Sequence, residues 1–115
     1  MNGVEALYQQ AIKDWARADH GHGRLDAPAV EATLDNPLCG DRVHVGVRVE
    51  AELIARFAQE TRGCLLCRAA ASLLGQRAPG MSAAQVEEAA AALAALLASG
   101  TEPPAHWAEL GMFAP

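Results

Sequence analysis

Three cysteines, at positions 39, 64 and 67, offer the most chemistry in this chain, and each has a neighbour that shapes it. Cys39-Gly40-Asp41 puts a thiol and a carboxylate two residues apart, around a glycine that admits a tight left-handed backbone. From such a turn, sulfur and oxygen can face one ion. Sulfur suits Zn²⁺ or iron, and the carboxylate is the harder, weaker partner. The same residues also read as a loop thiol beside an aspartate that caps its turn by accepting a backbone N–H, and spacing alone does not separate the two. Cys64-Leu65-Leu66-Cys67 follows Gly63 and opens a helix. Unpaired N–H groups and the macrodipole favour a thiolate at Cys64, and Cys67 lies one turn on, on roughly the same face. The pair can share a metal or close a disulfide. Cys67 equally reads as a small buried hydrophobe behind Leu65 and Leu66.

The histidines carry less. His20 and His22 sit in a glycine-rich turn, His44 falls on the polar side of an alternating segment, and His106 stands beside Trp107. None has the i, i+4 spacing of a helical metal pair. Arg42 and Arg68 flank the two cysteine motifs, where they could favour thiolates, bind a partner or simply carry surface charge.

The elements that must position these groups follow from period and punctuation. Val4, Leu7, Tyr8, Ala11, Ile12 and Trp15 recur at helical spacing, giving a first helix over about 3–18 that breaks at His20-Gly21-His22-Gly23. Val30, Ala32 and Leu34 alternate with polar residues as a short strand, which Asp35-Asn36-Pro37 stops. Val43, Val45, Val47 and Val49 form the clearest strand. Glu50-Ala51-Glu52 turns it into a third strand over 53–59, an antiparallel partner. A helix is expected over 64–76 and a break at Ala78-Pro79-Gly80. A long alanine-rich helix is then capped by Ser82 with Gln85 and stopped by Gly100. Pro103-Pro104 opens a last short segment. A small three-stranded antiparallel sheet that precedes most of the helix makes the fold class α+β, with several helices packed on the sheet.

Composition narrows the function. The 115 residues fit one domain. With 26 alanines and 4% aromatics, the helices should pack closely through small faces. A net charge of −5, with one lysine among nine cations, argues against nucleic acid as a partner. No basic amphipathic or 18-residue apolar stretch argues for a membrane. The start, MNGVEALYQQ, lacks the basic flank and apolar core of a secretion signal, so a cytoplasmic protein is expected. There, three cysteines point to metal or redox chemistry rather than a disulfide framework.

Two segments then carry a resemblance. Asn36-Pro37-Leu38-Cys39-Gly40-Asp41-Arg42 resembles the first cysteine loop of the NifU/IscU/SufU-type iron–sulfur cluster scaffolds. Gly63-Cys64-Leu65-Leu66-Cys67-Arg68-Ala69-Ala70-Ala71-Ser72-Leu73 resembles their second motif, a Gly-Cys that opens a helix of small residues. The resemblance covers essentially the whole chain, and the region from Pro79 to Gly100 is similar to the SufU-like or stand-alone NifU-like branch. It implies that Cys39, Asp41 and Cys64 match three of four family ligand positions. These hold a transient [2Fe–2S] cluster, or zinc or iron in its absence. The implied role is to take sulfur from a cysteine desulfurase, assemble a cluster and pass it to apo iron–sulfur proteins, without being an enzyme. A carboxylate among thiolates suits a cluster that must leave.

The family's third cysteine lies in a further segment, and no cysteine follows Cys67 here. The expectation is therefore one scaffold domain over 1–115 that lacks the C-terminal cysteine segment, with Cys67 a candidate metal ligand in its place. A leucine- and alanine-rich face left bare by that segment would favour a homodimer. The rivals are a thiol–disulfide protein using Cys64 and Cys67, a structural zinc domain, and a degenerate partner-binding domain. The scaffold reading requires Cys39 and Cys64 to converge near Asp41.

Overall fold

A computed structural model describes residues 3–27, 30–38 and 40–114. Helix α1 spans Gly3–Ala18. Its second half packs inward through Ala11, Ile12, Trp15 and the buried Ala16. The chain leaves it through Asp19, in the left-handed region at φ 47°. The following turn lies along the third strand: Gly21 O accepts the Gln59 N–H at 2.8 Å, and the Gly23 N–H donates to Gln59 O at 2.9 Å.

Strands β1 (Val30–Asn36), β2 (Asp41–Glu50) and β3 (Leu53–Arg62) form one antiparallel sheet in the order β1-β2-β3. Val43, Val45 and Val47 stand opposite Thr61, Gln59 and Phe57, so the valine row is one face of the sheet. The opposite face is polar. There His44 Nδ1 lies 2.8 Å from Thr33 Oγ1, and Arg42 Nε donates to Asp35 Oδ1 at 2.7 Å. The β2–β3 turn has two left-handed residues, Ala51 (φ 51°) and Glu52 (φ 65°). That geometry matches the strand twist and ordinarily calls for Asn or Gly; here the pairing on either side imposes it on Ala and Glu.

Helix α2 (Leu65–Arg77) follows β3 directly. Helix α3 (Ala83–Ser99) starts at Ser82 with the capping box complete and stops at Gly100, φ 69°. A last 3₁₀ segment, Ala105–Phe113, kinks at Trp107. Ala16, Ala69, Leu73, Ala89, Trp107, Leu110 and Met112 form the core. It lies chiefly among the helices, which approach through alanines as the composition implies. Arg77 ties the last segment to α2: it lies 4.1 Å over the Trp107 ring, grips Glu109 at 2.8 and 2.9 Å, and donates to His106 O at 2.7 Å. Among the described residues no helix is long and apolar enough to cross a membrane.

The sheet is longer than the alternation indicates. β1 runs to Asn36 rather than Leu34, β2 starts at Asp41 rather than Val43, and β3 reaches Arg62 rather than Gln59. Backbone pairing from Asn36↔Asp41 and Arg42↔Arg62 extends the ladder past the last apolar residue. Helix α2 begins one residue later than expected, with Cys64 as its cap. Asp41 is therefore a strand residue and not a loop residue.

Candidate metal and sulfur site

The register builds the site. The end of β1, the start of β2 and the end of β3 all lie at one end of the sheet. One step past Arg42↔Arg62, Gly63 comes opposite Asp41. The fit is close: a Cβ at position 63 would sit 2.2 Å from Asp41 Oδ1 and 2.8 Å from its Cγ. Glycine is required here by that carboxylate and not by backbone conformation.

The carboxylate then serves Cys64 twice. Oδ1 accepts the Cys64 N–H at 3.0 Å, and Oδ2 lies 3.9 Å from Cys64 Sγ. Cys64 is the N-cap of α2, with extended backbone (φ −70°, ψ 168°) and no side-chain cap bond, so its exposed sulfur is free for other work. A negative group at this point also complements the helix dipole. Asp41 thus braces the backbone, as the bland reading supposed. The N–H it braces belongs to Cys64, 23 residues away, and not to its own turn. Bracing and ligation fall on the two oxygens of one carboxylate.

Two donors of one tetrahedral zinc, at about 2.0 Å for oxygen and 2.3 Å for sulfur, stand roughly 3.5 Å apart. The observed 3.9 Å between Oδ2 and Sγ is within a small side-chain rotation of that value. Cys67 is the third residue of α2 and half-buried; burial first, then the charges of Asp41 and Cys64, push its thiol above its ordinary value. Among the described residues no group of three His, Cys, Asp or Glu side chains is arranged to hold a metal. Cys39 lies outside the described residues, so the expected convergence of Cys39 and Cys64 does too. Its neighbours are described: Asn36 Oδ1 accepts the Leu38 N–H at 3.1 Å, Asn36 O accepts the Gly40 N–H at 2.8 Å, and Gly40 takes φ 73°.

The histidines are engaged elsewhere. His20 packs edge-on to Trp15 at 5.5 Å, His22 pairs with Asp19 at 3.0 Å and His106 with Glu88 at 2.5 Å. His44 is not the solvated residue its position suggests: its side chain is 16% exposed, between Thr33 and Glu31 on the face opposite Asp41. Arg42 is held by Asp35, whose carboxyl the guanidinium keeps below its usual range. Arg68 makes no ion pair among the described residues.

Three residues position the site without a role that the motifs indicate, and of these Gly75 and Gln59 lie outside the motifs altogether. Ser72, fully buried on α2, accepts the His20 N–H at 2.9 Å. At Gly75 a Cβ would lie 2.0 Å from His20 O, so α2 meets the 19–23 turn backbone to backbone. Gln59, also fully buried, donates to Asp19 Oδ1 at 2.9 Å and His20 O at 3.0 Å, and accepts from Thr61 at 2.6 Å. A polar residue in the register of Phe57 and Val45 is the only sequence sign of it. Together they fix the axis of the helix whose first turn carries Cys64.

The family model for the NifU-like N-terminal domain matches residues 7–112. The chain is 35% identical over 115 residues to an iron–sulfur cluster assembly scaffold protein, IscU, of Streptococcus pyogenes serotype M1, a match spanning 96% of this chain and 68% of that one. It is 27% identical over 77 residues to the zinc-dependent sulfurtransferase SufU of Bacillus subtilis, covering 67% of this chain and 52%, about half, of the relative. Among solved structures it superposes on a NifU-like N-terminal protein from Brucella abortus with TM-score 0.87 at 25% identity, over 96% of this chain and 77% of that one. It shares its fold with a SufU-type scaffold from Fervidobacterium islandicum, TM-score 0.78 at 19% identity, over 91% and 76%.

Proposed function

The chain belongs to the NifU-like N-terminal domain family, and from that premise we propose that it is an iron–sulfur cluster assembly scaffold that accepts sulfur and hands on a finished cluster. The observation that carries this reading is the single carboxylate, Asp41, held by Gly63, bonded to the Cys64 N–H and 3.9 Å from the Cys64 sulfur. A relative named as a scaffold and another named as a zinc-dependent sulfurtransferase support both halves of it.

Cys64 is the sulfur acceptor and a ligand of the cargo. Its exposure lets a cysteine desulfurase deliver sulfane sulfur to it. Asp41 and Cys39 complete the first ligand set, and Cys67 is a further thiol within electrostatic reach. The cargo is a [2Fe–2S] cluster that leaves for apo iron–sulfur proteins, and the domain works by stoichiometric transfer. Zinc would be held by the same thiols and by Asp41, and would keep the thiols deprotonated there. On this reading the work is done in the cytoplasm, where thiols stay reduced, by one domain over 1–115.

The Asp41 geometry suits release. A carboxylate binds iron less tightly than a thiolate and yields first to an incoming thiol. Gly63 and the Cys64 N–H fix that carboxylate before iron arrives, so its orientation costs little when the cargo binds.

Anaerobic incubation with ferrous iron, cysteine and a cysteine desulfurase should give thiolate-to-iron absorbance in the wild type and none in Cys64→Ser. Equal cluster in Cys64→Ser and wild type would remove Cys64 from the site and overturn the reading.

A further inference from the structure

Cys67 has no counterpart in the carboxylate clasp, yet its place in the helix is particular. Cys64 and Cys67 are the N-cap and the third residue of α2. Ser82 and Gln85 hold the same two places in α3. The N-cap backbones match: φ −70°, ψ 168° at Cys64 against φ −84°, ψ 164° at Ser82. In α3 the two side chains meet, with Ser82 Oγ 3.4 Å from Gln85 Oε1 and 3.3 Å from the Gln85 N. The protein therefore contains its own ruler. Side chains in these two places share one side of the helix start, with the Gln85 amide reaching back through two more bonds than a cysteine thiol has. At Cys64 no cap bond occupies the slot, so the sulfur is free to turn from Asp41 toward Cys67. A disulfide needs Cβ atoms about 3.8 Å apart, and an exposed first helical turn can tighten to reach it.

Resting on the reading of Cys64 as sulfur acceptor, we infer that Cys67 is a resolving thiol that converts sulfur delivered to Cys64 into free sulfide. Scaffold chemistry requires this change of oxidation state, because sulfane sulfur arrives at the oxidation level of a persulfide and a cluster takes sulfide. The steps balance. A protein persulfide, R–S–SH, passes its outer sulfur to the Cys64 thiol, giving Cys64–S–SH and R–SH. The Cys67 sulfur then attacks Cys64 Sγ. The Cys64–outer sulfur bond breaks, a Cys64–Cys67 disulfide forms, and the outer sulfur leaves with both thiol protons as hydrogen sulfide. The two cysteine sulfurs lose the two electrons that the sulfane sulfur gains. Hydrosulfide is a better leaving group than an alkyl thiolate, which favours attack on the inner sulfur. A dithiol reductant then restores both thiols, at the cost of its own oxidation to a cyclic disulfide. Cys64 is exposed and open to the partner, and Cys67 is half-buried behind it in the first turn of the same helix.

The test uses the whole chain, fully reduced and freed of reductant, with a small-molecule persulfide such as glutathione persulfide as donor and, in parallel, a cysteine desulfurase with cysteine. Sulfide is measured colorimetrically and the chain by intact mass. The wild type should release one sulfide per chain and become lighter by two hydrogens, with the bridge mapping to Cys64 and Cys67. Cys67→Ser should release none and become heavier by one sulfur, and a dithiol should then free that sulfur as sulfide. A wild type that keeps the added sulfur without forming a disulfide, or a bridge that involves Cys39, overturns the inference and leaves sulfur acceptance standing. If Cys67→Ser gains no sulfur from either donor, the acceptor reading itself fails and the relay with it. Sulfur gained from glutathione persulfide but not from the desulfurase would keep the relay and discard that partner.

Discussion

Gly63→Ala tests whether Asp41 is placed by the register of the sheet or merely lies near Cys64. The new Cβ would stand 2.2 Å from Asp41 Oδ1 and 3.1 Å from the Asp41 Cβ, and its three nearest neighbours all belong to that side chain. A carboxylate can rotate aside, so the fold should survive and the Cys64 N–H···Oδ1 bond should not. A hydrogen bond to a charged acceptor contributes about 1.5–3 kcal/mol when shielded. Cys64 is exposed and Asp41 only half-buried, so water partly replaces the lost partner and the cost falls to about 0.5–1.5 kcal/mol. The lower chain entropy of alanine in the unfolded state returns about 0.4–1 kcal/mol. Gly63→Ala should therefore lower stability by no more than about 1 kcal/mol, a few degrees in Tm. In an Asp41→Ala background the carboxylate is gone and only the 3.1 Å contact with the Cβ remains, so the same change should cost less than it does in the wild type. A urea-unfolding double-mutant cycle should give a coupling of about 0.5–1.5 kcal/mol, and hydrogen exchange at the Cys64 amide should accelerate in both single variants. Additive effects, or a loss above about 3 kcal/mol that persists without Asp41, would refute the clasp and place the role of Gly63 in the backbone.

Asp41→Ala should slow the departure of an assembled cluster, because the hard, exchangeable ligand is gone; faster decay of cluster absorbance after an apo-acceptor is added would show that Asp41 only braces the Cys64 backbone. Ser72→Ala should cost about 1–3 kcal/mol by stranding the His20 N–H. Gly75→Ala should cost more, because its Cβ meets the His20 carbonyl, a backbone atom that cannot rotate away; equal losses in thermal melts would contradict that ordering. The raised Cys67 thiol gives a pH signature. Above the ordinary thiol value the unfolded chain releases this proton while the folded chain keeps it, so stability falls as pH rises through that window. Cys67→Ala should flatten the alkaline limb of a stability–pH curve, and an unchanged limb would remove Cys67 as its source.

Much of the architecture is legible in the residues, and the reasons differ by element. The valines at 43, 45 and 47 give the central strand because one face is apolar and β-branched. Ser82, Gln85 and Gly100 mark the ends of α3 because caps are local chemistry. The strand ends at Asn36, Asp41 and Arg62 are not legible, since backbone pairing continues where apolar alternation has stopped. His44 misleads for a related reason: its place on the polar face is right, but the cross-strand Thr33 engages it there. The cysteine motifs are visible as spacing, while their joint placement depends on register, which brings Asp41 against Gly63 from 22 positions away. The roles of Ser72 and Gly75 leave little trace in the sequence because their partners are backbone groups of His20, which no pattern of side chains specifies, and that of Gln59 depends on Asp19 and Thr61 being brought to it by the fold.

The central claim is that Asp41 and Cys64 hold a cluster in order to give it up. Its most direct test is transfer: a cluster assembled anaerobically on the wild-type chain is mixed with an apo [2Fe–2S] acceptor, separated from it, and iron and sulfide are measured on each. The account predicts that iron and sulfide move together to the acceptor, at a rate that free iron and sulfide at the same concentration do not match. A cluster that stays on the chain, or that reaches the acceptor no faster than from free iron and sulfide, would contradict it.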